Sequence, residues 1–116
     1  MLGLLYDSKG EYSKAFKWFH MVAMQENSVS QATIALMYEK GVGVDPDPVA
    51  AYAWALLAAR TGRPQIADRL STSLSFEQRM AGQENAERME SLIESIAVLW
   101  GNKRPNDIDL GLLRHE

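Results

Sequence analysis

The sequence predicts an all-α fold: an αα-hairpin superhelix of about three hairpins that closes with a long C-terminal helix. The first observation behind this is an internal repeat. Leu2-Gly3-Leu4-Leu5-Tyr6, then Gly10, then Ala15-Phe16-Lys17-Trp18-Phe19 returns as Ile34-Ala35-Leu36-Met37-Tyr38, then Gly41, then Ala51-Tyr52-Ala53-Trp54-Ala55. Tyr6 to Tyr38 is 32 positions and Trp18 to Trp54 is 36, so the second copy carries four extra residues between its halves. A period of this length with apolar residues at helical spacing marks a helix–turn–helix solenoid, whose units bury their apolar faces by stacking. The second observation is the regular punctuation by capping residues and glycines. The third is composition: 116 residues, 47% of them hydrophobic, make one ordered core and no more.

Each element follows from its local signals. One helix runs from the start to about Lys9, and a second from about Glu11 to Gln25. Ser28 with Gln31 three positions later reads as a capping box that opens a helix to about Lys40, with Gly41 as its left-handed C-cap. Asn27 is read as a left-handed C-cap closing the preceding helix. Asp47-Pro48 supplies an acceptor and a first-turn proline for a helix ending near Gly62. A short helix follows from about Gln65 to Ser71. Ser75-Phe76-Glu77-Gln78 is another capping box, opening the longest helix, to about Trp100. Turns this short between six helices imply antiparallel hairpins. The repeats occupy about 1–27, 28–63 and 64–100, with a linker and tail over 101–116.

Small residues should mark the lines of close approach: Gly3, Ala15, Ala23, Ala35, Ala51, Ala58 and Ala59. Tyr6, Trp18, Phe19, Tyr38, Tyr52 and Trp54 should fill the gaps between them as core, since they share helical faces with those alanines. The loop Gly41-Val42-Gly43-Val44-Asp45-Pro46-Asp47 reads as a structural turn. It lacks a Gly-Lys-Ser/Thr ending and follows no strand, so it is not a phosphate loop. Its glycines allow positive φ, Val44 is expected to anchor it inward, and Asp45 with Asp47 is too sparse a set for calcium.

The chemistry-bearing residues are few. A net charge of −3 with mixed signs is no nucleic-acid footprint. The absence of cysteine removes disulfides, thiolates and cysteine-based metal sites. His20 and His115 have no partners at catalytic spacing, and a solvated or edge-packed state is expected for both. Glu84, Glu87, Glu90 and Glu94 recur along one helical stripe, which suits a charged outer face, not carboxylates opposed across a cleft. No catalytic residue, metal ligand or cofactor is expected. Val49 to Ala59 is the longest apolar run, too short to span a membrane. The start shows no basic-then-apolar leader, so a cytoplasmic location is expected if the chain is complete.

The second copy resembles the Sel-like repeat family, a longer-looped relative of the tetratricopeptide repeat. The residues that carry the likeness are Gln31, Ile34-Ala35, Met37-Tyr38, Gly41, Gly43-Val44, Asp47, Ala51, Trp54, Ala58-Ala59 and Gly62. The first copy resembles a plain tetratricopeptide hairpin through Gly10, Tyr12, Ala15 and Phe19, and the stretch from Ala67 to Met89 resembles a closing hairpin. The resemblance implies an α-solenoid adaptor without chemistry of its own. It also departs from the pattern. Ala35 and Asn27 replace glycines, and the first helix starts about four residues late, so the chain is either part of a longer array or has an outer face that something covers.

Such solenoids present the first helix of each hairpin on a concave surface. Helical phase places Leu4, Asp7, Ser8, Ala32, Leu36, Glu39 and Lys40 there, with Glu39 and Lys40 exposed, and the mixed charge around an apolar strip suits a peptide or protein partner. A structural module that assembles with itself or with further repeats is the alternative. For self-association, with a homodimer as the simplest form, the long helix offers Met89, Ile93, Ile96 and Trp100. Beyond it, Ile108-Asp109-Leu110-Gly111-Leu112-Leu113 is a docking peptide or a strap across the last helix.

Overall fold

A computed structural model describes residues 9–100, without the side chains of Lys9 and Trp100. The expected first helix up to Ser8, with Gly3, Leu4, Tyr6, Asp7 and Ser8, and the 101–116 tail lie outside the described residues. Five helices follow in order: α1 Lys9–Ala23, α2 Ser28–Lys40, α3 Pro48–Arg60, α4 Gln65–Ser71 and α5 Phe76–Trp100. No strand lies among them.

Several boundaries differ from the sequence reading. Lys9 and Gly10 are already helical, so α1 begins ahead of Glu11, and it ends at Ala23 instead of Gln25. The turn that follows takes its left-handed residue at Glu26, φ 64°, while Asn27 is extended at φ −81°. Asn27 is the N-cap of α2: its Oδ1 accepts from the Ser30 backbone N at 2.9 Å. The expected Ser28–Gln31 capping box does not form, because Gln31 is drawn into the interior. At 1% exposure it donates from Nε2 to the Ala23 carbonyl (3.1 Å) and accepts at Oε1 from the Thr61 hydroxyl (3.2 Å). A buried amide needs such partners, and these tie the end of α1 to the end of α3 through α2.

Other local signals are realised as read. Gly41, φ 73°, caps α2 with its N–H on the Met37 carbonyl. Asp47 Oδ1 accepts from the backbone N of Val49 and Ala50, with Pro48 in the first turn of α3. Ser75 and Gln78 exchange side-chain-to-backbone bonds at 3.0 and 3.1 Å, the reciprocal capping box of α5. In the 41–47 loop the valine packed against the core is Val42, with Val44 half-buried.

α3 is the hub. It packs against α2, α4 and α5, and α1 joins through α2. The short α4 and long α5 lean on α3 more than on each other, so this last pair is an open hairpin. Of the small residues expected at close approach, Ala23, Ala35, Ala51 and Ala58 are fully buried, as are Ala53, Ala55 and Ala86, whereas Ala15 and Ala59 are only half-buried. Gly82 of α5 lies flat beneath Tyr52, where an added Cβ would meet the ring at 2.7 Å. That close approach accounts for a glycine that otherwise weakens a helix by about 1 kcal/mol.

The repeated aromatics do not share one fate. Trp54 is 2% exposed and Tyr52 is equally interior, while Tyr38 and Phe19 are half-buried against the core. Trp18, expected in the core as the counterpart of Trp54, is 52% exposed and meets Phe19 edge-on at 5.0 Å. Trp54 stands on the helix with described neighbours on three sides, whereas α1 is covered by described elements mainly through α2.

Candidate functional site

Two surfaces carry polar groups beside apolar ones. On the first, Ala32, Leu36, Glu39 and Lys40 share one face of α2, by their spacing of four, seven and eight residues. Ala32 and Leu36 are half-buried and Lys40 is exposed. Glu39 departs from expectation: it is half-buried and held by Arg69 of α4 through a two-pronged pair, Nη1 to Oε2 at 2.6 Å and Nη2 to Oε1 at 2.7 Å. The Arg69 bond holds the Glu39 carboxyl below its ordinary value, helped by the charges of Arg69 and Lys40 and opposed by partial burial. The fork fixes geometry more than stability, since a pair this exposed contributes at most about 1 kcal/mol. Sequence reading missed Arg69 because the partners are 30 residues apart on helices that meet only lightly.

The second surface is a pocket of about 260 Å³ where α1, α2, α3 and α5 converge, lined by His20, Tyr38, Ala50, Ala53, Trp54, Asn85, Arg88 and Met89. Ala50 and Ala53 leave the space, and the Trp54 indole walls it. His20 meets Trp54 edge-on at 5.2 Å and Phe16 at 5.8 Å, so it is edge-packed. Arg88 reaches only Asn85 Oδ1, at 3.5 Å, and pairs with no carboxylate among the described residues. Burial pushes the Tyr38 hydroxyl up, with the Asp47 carboxylate adding to it.

Burial also holds the His20 imidazole below its ordinary 6.5, since leaving water costs the charged ring most. A depressed value means that the folded state resists protonation. The stability tied to neutral His20 is complete above 6.5 and is lost as pH falls through the lowered value. Urea midpoints are therefore expected to drop between about pH 7.5 and about pH 5.5, and less so in His20→Gln. Equal slopes in the two proteins would show the ring to be solvated in the folded state.

The residues offered for self-association are placed unequally. Ile93 is 3% exposed and belongs to the core, so it is not available as a contact. Met89 is half-buried at the pocket, Ile96 is half-buried, and the Trp100 side chain is outside the described residues. Among the described residues, the exposed large apolar side chains of this half of α5 are Leu92, Val98 and Leu99. Among the described residues no cluster of His, Cys, Asp or Glu has a metal-binding arrangement, and no helix is long and apolar enough to cross a membrane.

The Sel1 repeat model matches residues 1–27 and 28–62, which is more than half of the chain. The chain belongs to the Sel1-repeat family. The all-helical fold of the described residues is that of a Sel1 solenoid. Sel1 repeats generally mediate protein–protein contacts. A similar curated protein is "Chitin synthase regulatory factor 3" of Schizosaccharomyces pombe, 35% identical over 57 residues, which are 49% of this chain and 6% of that protein. The chain thus spans a small fraction of that relative's length. No solved structure matches.

Proposed function

We propose that this Sel1-repeat chain is a non-catalytic scaffold that holds a peptide or protein partner on the face made by its hairpins' first helices. The observation that carries this reading is the Glu39–Arg69 fork. It braces α2 against α4 beside Ala32, Leu36 and Lys40, so a mixed apolar and charged strip is held at fixed spacing across two repeats. Leu4, Asp7 and Ser8 extend the strip in the proposal. Preorganised strips of this kind bind extended or helical segments at low ordering cost. The relative's printed description as a regulatory factor is in keeping with a protein that acts by binding.

Affinity capture from cell extract tests it, with retained proteins identified by mass spectrometry. Lys40→Glu is expected to leave stability within about 0.5 kcal/mol, as an exposed substitution, and to weaken capture. Glu39→Arg should also weaken it by freeing α4, and the exchange Glu39→Arg with Arg69→Glu should restore the brace but not the original charge pattern. Undiminished capture by both Lys40→Glu and Ala32→Arg would place the binding surface elsewhere.

A further inference from the structure

From the pocket where Trp54, His20 and Arg88 meet, we infer a second docking point, for one aliphatic side chain flanked by an acidic residue in a segment of a partner protein. The size of the pocket supports the aliphatic half. At about 260 Å³ it falls short of small-molecule sites, which run to roughly 300–1,000 Å³, and suits a single side chain. Ala50 and Ala53 leave the space, the Trp54 indole walls it, and the Met89 thioether can adjust to what enters. Half-buried His20 and Tyr38 complete the apolar lining. Both rings are uncharged at neutral pH, because burial lowers the imidazole and raises the phenol. The interior therefore offers nothing to a charged side chain.

The rim supplies the acidic half. Arg88 is exposed there and is the one cation in the pocket's lining. Glu84 stands four residues before it on α5, a spacing at which helical carboxylates pair with arginines. Even so, Arg88 has no ion pair among the described residues, and its guanidinium turns to Asn85, which also lines the pocket. That bond takes one donor at 3.5 Å, so the fork stays open to an incoming carboxylate. A side-chain carboxylate suits the rim better than a chain terminus. Terminal carboxylates are captured in nests of free backbone N–H groups. Here every lining residue lies within α1, α2, α3 or α5, and the N–H of Ala50, in the first turn of α3, is taken by Asp47. This inference does not rest on the scaffold reading, since Tyr38 of α2 lines the pocket but Ala32, Leu36, Glu39 and Lys40 do not.

Blocked peptides titrated into the ¹⁵N-enriched full chain test this, read at the Trp54 indole and His20 ring signals. The probe acetyl-Ser-Asp-Leu-Asp-Ser-amide carries a carboxylate on either side of its leucine, so chain direction does not matter. It is expected to shift both signals saturably at millimolar concentration. Replacing both aspartates by asparagine should weaken binding roughly fivefold, the worth of one exposed ion pair. Replacing the leucine by alanine should weaken it roughly tenfold. Arg88→Glu should reverse the charge preference, so that the lysine counterpart of the probe binds better than the acidic one. Ala50→Leu, checked for folding by circular dichroism, should fill the pocket and abolish every shift; if it unfolds, exposed Arg88→Glu carries the test. Absent shifts overturn the proposal, as does binding indifferent to the aspartates, to Arg88→Glu or to a folded Ala50→Leu. Lys40→Glu should leave the shifts unchanged, and their loss there would assign the peptide to the α2 strip and overturn the pocket. Tighter binding of acetyl-Ser-Asn-Leu with a free carboxyl end would make this a chain-terminus site. Signals that move with the protein's own concentration would make the occupant a second copy. Either result overturns the assignment.

Discussion

Replacing Trp54 by alanine is expected to lower the free energy of unfolding by roughly 3–5 kcal/mol. The indole is 2% exposed, on the helix that α2, α4 and α5 all pack against, so its removal leaves a cavity that several helices would have to move to close. The ring also forms the edge-on contact with His20 at 5.2 Å, and aromatic pairs of this kind contribute about 0.5–1.5 kcal/mol beyond area burial. Domains of this size are held by only about 5–15 kcal/mol in total, so the variant should sit close to unfolding at ordinary temperature. Trp54→Phe retains much of the volume and is expected to lose about half as much or less. Urea unfolding of the three proteins, followed by far-ultraviolet circular dichroism, measures this. A Trp54→Ala protein with the wild-type midpoint would show that the side chain is not part of the core, and would leave recognition as its role.

How legible these features were depends on how far apart the deciding residues lie. Gly41, Asp47-Pro48 and Ser75-Gln78 are complete within four positions, and each cap forms as read. The choice between Asn27 and Ser28 as N-cap is also local in form, but the rest of the fold decides it. Gln31 bonds to Ala23 and Thr61 in the interior, which removes it from any capping box and hands the cap to Asn27. Trp18 and Trp54 hold equivalent repeat positions and cannot be told apart without knowing which helix has neighbours on three sides. The apolar stripe of α5 was visible, yet which of its residues turn inward was not: Ile93 is core, while Leu92 and Leu99 are exposed.

The functional surfaces were legible to a lesser degree for the same reason. Helical phase alone puts Ala32, Leu36, Glu39 and Lys40 on one face, but the Arg69 that engages Glu39 comes from another repeat. The pocket draws on α1, α2, α3 and α5 together, and its residues run from His20 to Met89.

Gly43→Val is expected to cost roughly 2–4 kcal/mol, and the reason lies in a contact between repeats. Gly43 holds φ 75°, a left-handed conformation that a β-branched residue adopts only under strain. Its Cα also faces α1 so closely that an added Cβ would collide with the Tyr12 carbonyl oxygen and crowd the Phe16 Cβ at 3.2 Å. The obstacle is helical backbone, which cannot swing aside as a side chain would. The glycine is therefore where the longer loop of the second repeat docks on the first. Two controls separate the two costs. Asparagine tolerates left-handed backbone but carries a Cβ, so Gly43→Asn keeps the collision while reducing the strain. Gly62 also has positive φ, at 108°, with open space around it, so Gly62→Asn carries only the conformational part. Chemical denaturation should rank Gly43→Val as the most damaging, Gly43→Asn next, and Gly62→Asn within about 1 kcal/mol of wild type. Equal losses for Gly43→Asn and Gly62→Asn would mean that the loop does not press on α1, and that Gly43 serves only the turn.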